Sequence, residues 1–166
     1  MTRLPVYVII AIMVLAVTAE SCSPKVPDPG VFTDIDPDGW PYGESLSFSP
    51  GPDTAYTRPE VIPDSTYTSS ELVISIRHTD AYPYANLWLE LSYPSGDTVI
   101  ADTLSLNLAD RYGKWHGNGL GPSYQFSDTV ITSRRINDNP TLRLRHIMRV
   151  DTLREIEQVG LRILSR

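Results

Sequence analysis

The chain of 166 residues holds one cysteine and three histidines. A single thiol excludes an intrachain disulfide and any zinc site built from several cysteines. None of His78, His116 and His146 has a second histidine at i+2 or i+4 to form a metal-binding pair. No GxSxG elbow supports a serine triad, and neither a P-loop nor a GxGxxG fingerprint occurs. Long apolar runs are also scarce. The one extended run, Val6 to Val17, is about a dozen residues, against the roughly 20 needed to span a bilayer. Positive charge is in deficit as well: 14 Lys and Arg face 20 Asp and Glu, for a net charge of -6. With no basic stripe interleaved with aromatics, nucleic acid is not an expected partner, and anionic headgroups do not attract the chain.

The apolar run has a clear context. Arg3 precedes it, and Thr18-Ala19-Glu20-Ser21 leads to Cys22, the lone cysteine. A basic start, an apolar stretch and small residues before a cut form a secretory signal. A cysteine at the cut points to a bacterial lipoprotein, lipidated at that thiol. Ala19 and Glu20 depart from the usual lipoprotein box, whereas Ser21 fits it. The reading is a signal peptide at residues 1–21 and a lipid-attachment site at Cys22. Acyl chains then supply the membrane attachment, each buried methylene contributing about 0.8 kcal/mol.

Nine of the 14 prolines lie between Pro24 and Pro63. Proline fixes φ and removes a donor, so this stretch resists helix and ladder alike. Residues 22–39 are expected to be a Pro-rich tether, with the domain at 40–166. Asp34 to Gly39 comes nearest to a calcium loop, but Pro37 interrupts it and its last position falls on Ser45, so a turn is the better reading. Pro50 to Ser65 reads as a long surface loop.

Elsewhere the apolar residues alternate. Leu46 and Phe48 suggest a short strand. Leu72-Ile74-Ile76, Leu87-Leu89-Leu91, and Ile100 with Leu104-Leu106-Leu108 each share a face. Tyr124 and Phe126, Leu142 and Leu144, and Val159-Leu161-Ile163 continue the series. Pro94-Ser95-Gly96-Asp97 is a tight turn. Alternation of this kind marks half-buried antiparallel strands. Thr152 to Gln158 is expected to form one or two helical turns. Seven or eight strands with Gly and Pro turns predict an all-β fold, an antiparallel, jelly-roll-like β-sandwich.

Candidate contact residues are few. Trp115, in the glycine-rich run Gly113 to Gly121, is a loop anchor or a ligand platform. Trp88 stands on the polar side of its strand. Arg143, Arg145 and Arg149 are expected on the polar face of one strand, either solvated or meeting an anionic partner. No catalytic residue, metal site or cofactor is expected; the scattered carboxylates form no sequence-readable glycosidase pair. A carbohydrate-binding module would use Trp88, Trp115, Tyr82 and Tyr84 as stacking platforms.

One ordered series of short motifs goes further. Tyr82-Pro83-Tyr84-Ala85-Asn86-Leu87-Trp88-Leu89 precedes the Pro-Ser-Gly-Asp turn. Asp102-Thr103-Leu104, Leu108-Ala109-Asp110 and GKWHGNGLG follow. Met148-Arg149-Val150-Asp151 and Ile156 to Ile163 (IEQVGLRI) close the series. Behind a lipoprotein signal, this series resembles the gliding-motility lipoprotein GldH family of Bacteroidetes, from about Trp40 to Ile163. The resemblance implies a lipid-anchored protein of the outer membrane, associated with gliding and the linked type 9 secretion system, with envelope proteins as partners. It transfers no catalytic residue, only the lipidated cysteine, onto Cys22. The family also occurs in bacteria that do not glide. Ser23-Pro24-Lys25 after the cysteine lacks the acidic residues of surface-exported lipoproteins, which favours the periplasmic face.

Overall fold

The computed structural model describes residues 30–49, 69–137 and 140–164. The signal peptide, Cys22 and the Pro50–Ser65 loop lie outside the described residues. Eleven strands are present: β1 (Val31–Asp34), β2 (Trp40–Pro41), β3 (Leu46–Phe48), β4 (Glu71–Thr79), β5 (Asn86–Ser95), β6 (Thr98–Asn107), β7 (Asn118–Leu120), β8 (Ser123–Ile131), β9 (Leu142–His146), β10 (Thr152–Leu153) and β11 (Ile156–Leu164). There is no helix among the described residues.

The strands form a five-stranded sheet, β1-β11-β4-β8-β7, and a four-stranded sheet, β3-β9-β5-β6, with β2 and β10 as a separate pair. All pairings are antiparallel. The chain crosses between the two large sheets repeatedly, and their inner faces close on one core. Leu72, Ile74 and Ile76 of β4 meet Leu87, Leu89 and Leu91 of β5, all fully buried. Each such side chain contributes about 1.5–3 kcal/mol on leaving water, so the alternation specifies the register: a one-residue slip would expose the whole set.

Two segments differ from their expected form. Strand β1 lies inside the stretch read as tether and pairs with β11, from Val31↔Leu161 to Asp34↔Gln158. Its four residues lack the apolar-polar-apolar alternation, and its partner is about 130 residues away. Gly160 makes room for it: a Cβ there would sit 2.3 Å from the Phe32 ring. The expected helical turns at Thr152–Gln158 are instead β10 and the start of β11. Glu155 between them adopts φ +69°, which a right-handed helix cannot accommodate, and Leu153, Ile156 and Val159 are all drawn into the core. Strand β9 ends at His146, so Arg149 lies beyond it in an exposed bend.

Strand β6 is a ten-residue edge, a position open to unwanted pairing. Asp102 points inward from it and ties the loop after β8 to the sandwich. Its carboxylate accepts from Tyr93 Oη at 2.6 Å and Ser133 N at 2.7 Å, and from Ser133 Oγ. Burial alone would push the Asp102 carboxyl up; the bonds from Ser133 and Tyr93 outweigh it and hold the group below its usual range.

Candidate functional site

Three features bear on function. The first is the outer face of the four-stranded sheet. Glu90 pairs with Arg145 and Ser92 with Arg143 across β5 and β9. Arg145 grips Glu90 with a two-pronged fork, Nε to Oε1 at 2.8 Å and Nη2 to Oε2 at 3.0 Å. That bond raises the Arg145 pKa above its ordinary value. Arg143 is exposed beside it. Trp88, two residues along β5 from Glu90, is 41% exposed. Trp88, Arg143 and Arg145 therefore share one face.

Trp115 is elsewhere. It bridges to Ala109 and packs against the core. Its ring meets His78 at 4.6 Å and Tyr124 at 6.2 Å. Tyr82 is buried in the same cluster, and Tyr84 packs edge-on against Tyr82. The four aromatics considered as a stacking platform are thus divided between an outer face and an interior cluster.

The second region is a groove of about 1380 Å³ on the outside of the five-stranded sheet. Its backbone is a row that sequence reasoning missed: Asp34, Gln158, Arg77, Gln125 and Asn118, one residue on each of the five strands, in register. Gln158 Nε2 donates to Asp34 Oδ1 at 2.7 Å, and Arg77 Nη2 donates to Gln125 Oε1 at 3.1 Å. A β-bulge between Ile156 and Gln158 interrupts the strict alternation of β11, so Glu157 and Gln158 both line the groove. Ser123 Oγ fixes the Glu157 carboxylate at 2.8 and 3.0 Å.

The third region is a pair of buried histidines. His78 Nδ1 donates to the Thr79 carbonyl at 2.9 Å, and His146 Nε2 to the Trp40 carbonyl at 3.0 Å. The other ring nitrogens, His78 Nε2 and His146 Nδ1, are buried without a partner among the described residues. Burial lowers both pKa values below 6.5; the carbonyl bonds, and for His78 the charge of Glu157, oppose it only partly. The unfolded chain therefore binds more protons just below pH 6.5. The stability these neutral rings confer is complete above that pH and falls away as pH drops from there towards the folded-state values. Denaturant melts at pH 8 and pH 5 are expected to show a clear loss at pH 5, and His146→Gln is expected to flatten the slope. Equal midpoints at the two pH values would contradict this.

These regions sit on a fold whose sequence has a recognisable kin. The sequence model of the GldH lipoprotein family matches residues 32–163. The chain belongs to this family. The match runs from Phe32 in β1 to Ile163 in β11, so the GldH lipoprotein domain is the sandwich itself, including the edge strand β1. Membership makes this a lipid-anchored envelope protein, its name tying it to gliding motility. No curated protein matches the sequence. The groove row escaped sequence reading because its members stand at positions 34, 77, 118, 125 and 158. Arg77 alone follows from the alternation of Leu72, Ile74 and Ile76, which puts it on the opposite, polar face; the rest required the strand order.

Proposed function

We propose that this GldH-family lipoprotein is a non-catalytic docking component of the gliding-motility apparatus and the linked type 9 secretion machinery. It is held by lipid at Cys22 on the periplasmic face of the outer membrane. The family match over residues 32–163 carries the reading. The outer face of the four-stranded sheet supports it: an open tryptophan, then an ordered Arg–Glu pair, then an exposed arginine along one face is the composition of an interface centre with a polar rim.

The test is a crosslinked pull-down of the full chain from envelope membranes, scored for motility and secretion components. The pair Trp88→Ala and Arg143→Glu is expected to cut their recovery at least tenfold while leaving the melting midpoint within a few degrees. Recovery at the parental level would sink this assignment of the contact face. Deletion of the whole gene is expected to stop delivery of secreted cargo to the cell surface; unimpaired delivery would sink the wider role.

A further inference from the structure

The groove across the five-stranded sheet has a chemistry that docking on the opposite sheet does not use. Its central row is polar on all five strands and partly satisfied within itself. Gln158 spends one of its two amide hydrogens on Asp34, and Gln125 one of its two carbonyl lone pairs on Arg77. What remains for a ligand follows from the donor and acceptor inventory. Asp34 offers acceptors, Arg77 offers donors, and Gln158, Gln125 and Asn118 each offer both. At a strand spacing near 4.8 Å the row is roughly 19 Å long, which suits a chain of several units rather than a single small molecule.

The lining decides among ligand classes. Asp34, Asp36, Glu155 and Glu157 outnumber Arg77 and Arg154, which disfavours a polyanion. Arg77 in the centre of the row disfavours a basic peptide. An extended peptide seeking to add a strand finds no edge along the centre of the groove, because β11, β4 and β8 are paired on both sides, and the open edges at its two ends, β1 and β7, are only four and three residues long. An apolar ligand would strip water from five polar side chains with nothing to replace it. A hydroxyl both donates and accepts, and so answers every position in the row. We propose that this groove binds a neutral, hydroxyl-rich glycan chain, using Asp34, Gln158, Arg77, Gln125 and Asn118 as its reading row. The proposal is independent of the docking role and uses none of its residues.

The test is binding of the detergent-solubilised full chain to an array of short neutral oligosaccharides: glucans, mannans, xylans, galactans and N-acetylglucosamine oligomers. Saturable binding to at least one class is expected, insensitive to salt as befits an uncharged ligand. The double variant Gln125→Ala with Gln158→Ala is expected to weaken it at least tenfold. Thr103→Ala, exposed on the other sheet, is expected to leave it unchanged. A thermal melt checks that each variant folds. Should the alanine pair not fold, Gln125→Glu gives the reading, since it replaces the amide donor by a carboxylate and is expected to weaken binding likewise. Absence of binding across the array, binding only to charged polymers, or full binding by the folded glutamine variants would overturn the proposal.

Discussion

Trp40→Ala is expected to lower the unfolding free energy by about 3–5 kcal/mol, the range for removing a buried tryptophan. Trp40 is 1% exposed, although it stands at the start of a two-residue strand. Its Nε1 donates to the Glu44 carbonyl at 3.0 Å, closing the turn that follows. Its ring meets His146 edge-on at 5.3 Å, and its carbonyl is the acceptor for His146 Nε2. It also sits opposite Leu153, joining β2 to β10. Truncation leaves a cavity beside an imidazole that already has one unpartnered nitrogen. For a domain of this size the loss corresponds to a drop of roughly 6–20 °C in melting temperature. Denaturant titration of the full chain measures it, with the m-value unchanged. Trp40→Phe, which keeps most of the apolar area, is expected to cost less. A loss under about 1 kcal/mol for the alanine variant would mean that the site collapses around the gap.

Cys22→Ala is expected to abolish acyl labelling completely and, with it, sorting to the outer membrane. The family is one of lipoproteins, and the chain offers one thiol. No described helix is long and apolar enough to cross a membrane, and a net charge of -6 gives anionic headgroups nothing to hold. One acyl chain binds reversibly, whereas two or more hold essentially permanently, so loss of the attachment point leaves no graded fallback. Metabolic labelling with a fatty acid, followed by membrane fractionation, measures both effects. Persistent label in an outer-membrane fraction would place the anchor at another residue.

The sandwich was legible because its long strands bury one face. Leu87, Leu89 and Leu91, or Leu72, Ile74 and Ile76, announce themselves at period two, and all six are buried. The short strands β1, β2, β7 and β10 were not legible, since none has the apolar-polar-apolar alternation by which Leu46 and Phe48 marked β3. Their pairing is set by partners far along the chain. Thr152 to Gln158 misled because its apolar spacing fits a helical turn as well as a bulged strand. The deciding residue, Glu155 with its positive φ, carries no glycine to signal it. On the outer faces, Arg143 and Arg145 could be placed by alternation, but the partner of Arg145, Glu90, lies 55 residues away. The groove row was invisible for the same reason, multiplied over five strands.

Edge strand β1 also has a mechanical meaning. Eight backbone steps separate Cys22 from Gly30, at most roughly 26–29 Å when fully stretched, so an anchor at Cys22 keeps the sandwich close to the bilayer on a short leash. A pull along β1 does not peel it from β11 one rung at a time. It loads the four paired positions together, in shear, and passes the tension into β11 and then β4. The load path runs through the five-stranded sheet. The opposite sheet, with Trp88 and Arg143 on its outer face, takes load only through the shared core and the chain that runs on from β1 to β3.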